Sequence, residues 1–261
     1  MIPSWNQVQA SELASIRGVA FDIDDTFSSH GKILPEAYAA LWELKRAGYW
    51  LVPITGRPAG WCDHIARFWP VDAVVGENGA FVFEMKEGVR TRLNTPGLSA
   101  DPRAKLEELG RVVRARFPLA VWASDQAYRE SDLAIDFCED VKPWSESDIA
   151  ELVAICRGQG AHAKVSSIHV NAWFGEYDKN KGFSHWLSQR PDAPRAHEWI
   201  FVGDSPNDEP MFGAFDHSVG VANLKKFEGS LKHPPRWITQ SESGLGFVEV
   251  AKSLLLKPIK S

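Results

Sequence analysis

The chain has 261 residues, 44% hydrophobic and 24% charged, which is the composition of an ordinary soluble globular protein. Its net charge of -5 gives no basic footprint for nucleic acid, and no apolar run approaches the roughly 20 residues that cross a bilayer. With no signal-peptide pattern over residues 1–17 and three widely spaced cysteines that match no disulfide or metal pattern, we expect a cytoplasmic monomer or homodimer without nucleic-acid or membrane partners.

The first strongly patterned stretch runs from Gly18 to Thr26, where four apolar or small residues lead into a cluster of three carboxylates. The continuous apolar run predicts a strand that is buried on both faces. Acids crowded at the dry end of a strand repel one another, and a cation among them removes that cost. We therefore predict Mg²⁺ with oxygen ligands at this strand end, where open α/β sheets bind their ligands.

The rest of the first third alternates helical and strand patterns. The predicted elements are a helix from Pro35 to Gly48, a strand over 50–54, a helix from Pro58 to before Pro70, and a strand over 73–75. The second strand leads into Thr55-Gly56-Arg57, and the third leads into Glu77-Asn78-Gly79-Ala80. This alternation predicts a parallel, doubly wound sheet of the α/β class.

The middle of the chain has a different pattern. It predicts a hairpin over 81–93, a helix from 102 to before 118, a half-exposed strand over 132–137, a helix from Ser145 to Gly158, and two strands over 161–172. The first pattern then resumes with a helix from Lys181, strands over 199–202, 215–221 and 237–239, a helical stretch from Asn223 and a closing helix over 246–255. We therefore predict a core formed by residues 1–80 and 173–261, with an α+β domain over 81–172 inserted into it.

Polar residues follow three strands of the predicted core. They are Asp22, Asp24, Asp25 and Thr26 after the first strand, Thr55 and Arg57 after the second, and Asp204, Asn207 and Asp208 after the fourth. If these strands are parallel neighbours, the three sets converge on one crevice, to which Lys181 can add a cation. Asp22 and Asp24 are two residues apart and point the same way, and the lysine should lower the pKa of Asp22. Such a site suits phosphoryl transfer.

These motifs resemble, in order and spacing, the four motifs of the haloacid dehalogenase superfamily of aspartyl-phosphate phosphatases. The motifs are residues 22–26, Thr55, Lys181-Gly182 and residues 203–208. The insertion between the second and third motifs, together with residues 77–80, resembles the C2-capped subfamily IIB, which contains sugar-phosphate phosphatases and phosphomannomutases. The resemblance implies a Rossmann-like core with a C2-type cap. Asp25 departs from the pattern, since many members have glycine there.

The resemblance also implies a role for each matching residue. Asp22 would be the nucleophile that forms an aspartyl-phosphate, and Asp24 would protonate the leaving oxygen and later activate water. Thr55 and Lys181 would hold the transferring phosphoryl group. The implied Mg²⁺ ligands are Asp22, the backbone carbonyl of Asp24, and Asp204, with Asn207 and Asp208 in support.

Several of these residues also have an ordinary structural role open to them. The hydroxyls of Thr26 and Thr55 can hold turns, and Asp208 can cap a short helix. Lys179 rivals Lys181 as the phosphate-binding lysine, although the glycine that follows favours Lys181. Six further residues are candidate substrate contacts, and each could instead serve an ion pair, the hinge or packing. They are Arg57, Asn78, Arg129, His169, Asn171 and Trp173.

Taken together, these patterns predict a Mg²⁺-dependent phosphatase that acts on a small phosphorylated metabolite, most simply a sugar phosphate. A phosphomutase of the phosphomannomutase type would use the same residues but return the phosphoryl group to a sugar. A non-catalytic sugar-phosphate-binding regulator is the alternative outside enzymes. The pair Asp22 and Asp24 argues against it, because a binding protein needs no nucleophile beside an acid.

Overall fold

The computed structural model describes residues 2–99, 101–166 and 168–256. Its strands are β1 (Gly18–Phe21), β2 (Trp50–Pro53), β3 (Val74–Gly76), β4 (Phe81–Lys86), β5 (Val89–Asn94), β6 (Val121–Trp122), β7 (Asp132–Asp136), β8 (His162–Val165), β9 (His169–Trp173), β10 (Trp199–Gly203), β11 (His217–Gly220) and β12 (Trp237–Ile238). Its α-helices are α1 (Ala10–Leu13), α2 (Pro35–Arg46), α3 (Ala59–Phe68), α4 (Arg103–Arg116), α5 (Glu146–Gly158), α6 (Lys179–Ser188), α7 (Glu209–Ala214) and α8 (Ser243–Leu255).

A parallel five-stranded sheet in the order β12-β11-β10-β1-β2 forms the centre of the core. All four residues of β1 are buried, because apolar side chains cover both faces of the sheet. Gly18 begins β1 where the indole of Trp199 on β10 crosses it, and a Cβ at Gly18 would lie 2.4 Å from that ring. The predicted doubly wound parallel sheet is therefore confirmed.

Two antiparallel sheets follow from the middle of the chain. The hairpin β4-β5 pairs with β3. A single parallel bridge between Val75 and Ile54 links β3 to the core next to β2. Strands β6, β7, β9 and β8 form a separate four-stranded sheet, and α4 and α5 pack on it through a shared apolar cluster. This sheet and its two helices are the inserted α+β cap. The predicted bounds of core and cap stay a prediction, since β4 and β5 pair with β3 rather than with the cap sheet.

Two predictions about these elements were wrong, and both errors bear on the site. Strand β7 is buried along its whole length, not on one face, because its polar ends Asp132 and Asp136 are hydrogen-bonded inside the protein. Helix α6 begins at Lys179, two residues before the predicted start, with Asp178 as its N-cap. The stretch from Asn223 lies in a 3-10 helix over residues 222–230.

Within the described residues, no helix combines the length and apolarity that a bilayer crossing requires. The cytoplasmic location and the oligomeric state stay predictions.

Candidate active site

Three carboxylates meet at the carboxyl end of the central sheet. Strand β1 pairs with β2 on one side and β10 on the other, so the segments that follow these strands emerge side by side. Oxygen atoms of Asp22, Asp204 and Asp208 all lie within 4.8 Å of one another, and all three side chains are buried. The predicted convergence of the first and fourth strand ends is therefore present in the structure.

The lysine of this cluster is Lys179, and the preference for Lys181 was wrong. The ammonium of Lys179 lies 2.6 Å from Asp22 Oδ1 and 2.7 Å from Asp208 Oδ1, and its side chain is 1% exposed. Lys181 is exposed, and its Nζ donates to the backbone oxygen of Glu176. Because α6 begins at Lys179, that residue lies in the first turn and reaches the sheet, whereas Lys181 points to solvent.

One lysine does not balance three buried carboxylates. Burial raises the pKa of Asp22 to about 8, although Lys179 opposes this, and the charges of Asp208 and Asp24 add to the rise. Burial and the neighbouring charges of Asp22 and Asp208 likewise hold the pKa of Asp204 well above its usual range. The expected lowering of the Asp22 pKa was therefore wrong for the protein without a metal.

Hydrogen bonds fix the orientation of the cluster. Thr26 Oγ1 donates to Asp204 Oδ1 at 3.2 Å, and Asn223 Nδ2 donates to Asp204 Oδ2 at 3.1 Å. Asp208 Oδ2 accepts the backbone N–H groups of Asp204 and Ser205. Asp208 therefore combines the two roles that the sequence left open, since it caps this loop and also belongs to the acidic cluster.

The donor set fits a hard divalent cation. The cluster offers carboxylate oxygens only, which are the ligands that Mg²⁺ prefers. Three carboxylates face a single lysine in a buried place, so a divalent cation would relieve their repulsion. Asn207 is buried beside them, and its Oδ1 accepts a hydrogen bond from Ser205 Oγ at 2.6 Å.

The carboxylate of Asp24 turns away from this cluster and pairs with Arg57. Arg57 Nε lies 3.0 Å from Asp24 Oδ2, and Arg57 Nη2 lies 2.8 Å from Asp24 Oδ1. The same guanidinium bonds to two cap carboxylates, with Nη1 3.3 Å from Asp125 and Nη2 2.8 Å from Glu139. Arg57 therefore ties the predicted acid and base of the core to the cap.

The candidate cap residues surround this contact. His169 Nε2 lies 2.9 Å from Glu139 Oε2, and Asn171 Nδ2 donates to Asp132 at 2.8 Å. The guanidinium of Arg129 is buried and donates to Asp132 and to the backbone oxygen of Gly56 in the core. These contacts link the cap sheet to the loop that follows β2.

Seven of the predicted site residues line one small cavity between core and cap. They are Asp22, Asp24, Arg57, Arg129, His169, Asn171 and Asn207. The cavity volume is about 20 Å³, enough for one water molecule. The cap therefore lies closed on the core, and a phosphate ester needs it to move before the ester can reach Asp22.

Three other candidates lie outside this cavity. Thr55 is fully buried, and its Oγ1 accepts the backbone N–H of Arg57 at 3.0 Å, as the turn role requires. Asn78 has a φ of 56° and packs against Gly56, so it belongs to the turn that joins the core to the cap. Trp173 was wrong as a candidate substrate contact, because it is 2% exposed and packs in a buried apolar cluster with its ring 5.7 Å from that of Tyr177.

Sequence reasoning missed four residues of the site region. Asn223 follows β11 as the other polar residues follow their strands, so the same rule applied to the fifth strand would have found it. Asp125 and Glu139 carry no such signal, since both lie in irregular cap segments. Glu77 was recognised only as part of a motif, yet its buried carboxylate accepts the backbone N–H groups of Ala59 in the core and of Glu130 and Ser131 in the cap.

Comparisons with known proteins agree with this geometry. The family model of haloacid dehalogenase-like hydrolases matches residues 19–98. A phosphoglycolate phosphatase from Methanosarcina mazei is 23% identical over 241 residues, which are 91% of this chain and 96% of the relative. A solved structure from Thermoplasma acidophilum has a TM-score of 0.72 at 17% identity and covers 92% of this chain and 99% of its own. A solved structure of a superfamily phosphatase from Bacteroides thetaiotaomicron has a TM-score of 0.63 at 17% identity, and the match covers 96% of this chain and 99% of that one.

Proposed function

We propose that this chain is a phosphatase of the haloacid dehalogenase superfamily, subfamily IIB, and that it hydrolyses a small phosphorylated metabolite, a sugar phosphate, with Mg²⁺ and through an aspartyl-phosphate on Asp22. The observation that carries this proposal is the buried cluster of Asp22, Asp204 and Asp208, with the ammonium of Lys179 bonded to Asp22. A nucleophile, a cation and a set of hard oxygen ligands at one point are what phosphoryl transfer requires.

In the proposed first step, a carboxylate oxygen of Asp22 forms a bond to the phosphorus of the ester, and the bond from phosphorus to the leaving oxygen breaks. Asp24 gives its proton to that leaving oxygen. In the second step Asp24 takes a proton from a water molecule, which attacks the phosphorus of the aspartyl-phosphate. Inorganic phosphate leaves, and the Asp22 carboxylate is restored.

The other residues of the core support these steps by position and charge. Lys179, 2.6 Å from Asp22, would balance charge on the phosphoryl oxygens. Thr26 and Asn223 orient Asp204. Asp22, Asp204 and Asp208 would hold Mg²⁺, with Asn207 beside them, and the bound ion would neutralise charge that develops on the phosphoryl group.

The cap supports a small substrate over a large one. Its polar residues Arg129, His169 and Asn171 close directly above Asp22 and leave little space. A leaving group with several hydroxyls, or with a carboxylate, would find hydrogen-bonding partners there once the cap moves. A closed cap would also exclude bulk water during the first transfer.

The experiment is a screen for inorganic phosphate released from p-nitrophenyl phosphate, hexose phosphates, disaccharide phosphates and 2-phosphoglycolate, the last suggested by the relative's name. We expect release that needs Mg²⁺, stops with a chelator, and is absent in Asp22→Asn. Transfer between sugar positions with no net phosphate release would instead identify a mutase. Release that persists in Asp22→Asn would contradict the proposal.

A further inference from the structure

A network of charged side chains joins the core to the cap across the closed active site. We call it the cap latch and define it as Asp24, Arg57, Asp125, Glu139 and His169. Arg57 is at its centre, with a side chain 6% exposed and with Nε, Nη1 and Nη2 all bonded to carboxylates. Charge-assisted, bidentate pairs of this kind are among the strongest hydrogen bonds in proteins.

Glu139 is the cap residue best placed to hold this network. Its Oε1 accepts from Arg57 Nη2 at 2.8 Å, and its Oε2 lies 2.9 Å from His169 Nε2. The close approach of His169, together with Arg57, lowers the pKa of Glu139 to about 2 against the effect of partial burial. Glu139 is therefore a carboxylate held between the guanidinium of Arg57 and the imidazole of His169.

The loop that carries Glu139 is held in place by its own strand. The carboxylate of Asp136, at the end of β7, accepts the backbone N–H groups of Cys138, Glu139 and Asp140 at 2.8–2.9 Å. This arrangement fixes the position of Glu139 on the cap. A pre-positioned carboxylate loses less conformational entropy when it bonds to Arg57 than a mobile one would.

The cap latch has two consequences for a substrate. The cavity that it encloses holds about one water molecule, so a phosphate ester does not fit while the cap latch is closed. In addition, both oxygens of Asp24 are bonded to Arg57, so Asp24 is not free to meet a leaving oxygen. The first obstacle disappears when Arg57 gives up its cap partners and the cap moves, whereas the pair of Arg57 and Asp24 lies within the core and has to separate on its own.

We propose that Glu139, acting through Arg57, is a positioning residue that keeps the cap shut in the absence of substrate and so sets the apparent affinity for the phosphate ester. This inference rests on the proposed phosphatase function. When only a fraction of the molecules is open, the apparent dissociation constant rises in inverse proportion to that fraction. Weakening the cap latch therefore lowers KM, whereas removing a substrate contact would raise it.

The test is the variant Glu139→Gln, with Glu151→Gln as its matched control. Glu151 is also a cap glutamate paired to an arginine, Arg116, but on the outer surface. With p-nitrophenyl phosphate and Mg²⁺, we expect KM to fall about 3- to 10-fold in Glu139→Gln with a smaller change in kcat. Glu139→Ala should move KM the same way. An unchanged or raised KM in both Glu139 variants would overturn the proposal.

Hydrogen exchange without substrate separates the cap latch from the proposed function. The backbone N–H groups of Glu130 and Ser131 bond to Glu77 across the core–cap junction and report cap opening directly. We expect them to exchange several-fold faster in Glu139→Gln than in wild type or Glu151→Gln. If no ester is hydrolysed, this exchange still tests the cap latch, and exchange equal to wild type would overturn it.

Discussion

The acidic cluster of the core and the cap latch face each other across the active site, and each sets three carboxylates against one permanent cation, but the two groups differ in burial. In the core, three buried carboxylates share one lysine, and burial raises the pKa values of Asp22 and Asp204. In the cap latch, Arg57 and His169 lie between carboxylates that keep some exposure, such as Asp24 at 21% and Glu139 at 26%.

This difference assigns different tasks to the two regions. The core cluster is buried and short of positive charge, so it favours a divalent cation. Two carboxylates of the cap latch, Asp24 and Glu139, keep some exposure, so when the cap latch opens their charges pass into water rather than remaining in a dry interior. We therefore expect the core to bind the reacting group and the cap latch to regulate access to it.

The largest expected effect comes from removing the ammonium group of Lys179. Lys179→Met leaves buried carboxylates without their partner, which should cost about 3–5 kcal/mol. We expect kcat to fall roughly 10²- to 10³-fold, because the transition state loses the ammonium that would balance charge on the phosphoryl oxygens. Steady-state phosphate release with a chemical denaturation curve checks both effects.

Lys181→Met is the matched control for that prediction, because it removes the same group two residues away on the exposed side of α6. It should change kcat by less than about twofold and stability by less than about 0.5 kcal/mol. Equal losses in the two variants would mean that the core does not depend on Lys179 in particular.

A second effect concerns the close contact of Gly79 with the start of α6, which positions Lys179. Gly79, with a φ of 105°, lies against the start of α6, and a Cβ there would be 2.0 Å from the backbone oxygen of Asp178. Gly79→Ala should push α6 away and destabilise the protein by about 3 kcal/mol or more, as judged by urea unfolding.

Gly88→Ala is the matched control for Gly79→Ala. Gly88 in the β4-β5 turn has a φ of 80°, but a Cβ added there would meet no atom of the described residues within 4 Å, so only backbone strain applies. We expect a loss of about 1–2 kcal/mol there, with normal activity. If the two alanine variants lose the same stability, the close approach of Gly79 to α6 is not important.

The last effect depends on pH and concerns the buried carboxylate at the core–cap junction. Burial and the charge of Asp132 raise the pKa of Glu77 to about 7, although backbone N–H donors oppose the rise. Since the folded state binds this proton more tightly than the unfolded chain, the contribution of Glu77 to stability is greatest at low pH and is lost as pH rises through about 7.

Glu77→Gln removes this titration. Relative to wild type, its free energy of unfolding should therefore improve by roughly 1–3 kcal/mol between about pH 5 and about pH 8. Thermal melts of both proteins across that range measure the difference. A constant difference between the two proteins over the whole range would mean that Glu77 has an ordinary pKa in the folded state.

Strand-end chemistry explains which parts of the site were predictable from the sequence. Asp22, Asp204 and Asp208 each follow a continuous apolar run, and such runs predict parallel strands whose ends converge. Lys179 was harder to identify, because a shift of two residues in the start of α6 exchanges a buried lysine for an exposed one. Local helix signals do not define a boundary that finely.

The cap was predictable as an α+β layer but not in its contacts. Arg57 and Glu139 are 82 positions apart, and their pairing depends on how two sheets approach each other rather than on any local pattern. The same holds for β7, where alternating polar residues suggest an exposed face. In the structure those residues are buried, because Asp132 bonds to Arg129 and Asn171.

The most direct test of the central claim is to trap the phosphorylated protein. The wild-type protein is mixed with Mg²⁺ and a phosphate ester that it hydrolyses, and the mixture is quenched in acid within the first turnover. The protein is then digested and analysed by mass spectrometry. We expect one phosphate on Asp22 in the wild type and none in Asp22→Asn. Turnover with no phosphate on Asp22, or with phosphate on another side chain, would contradict the central claim.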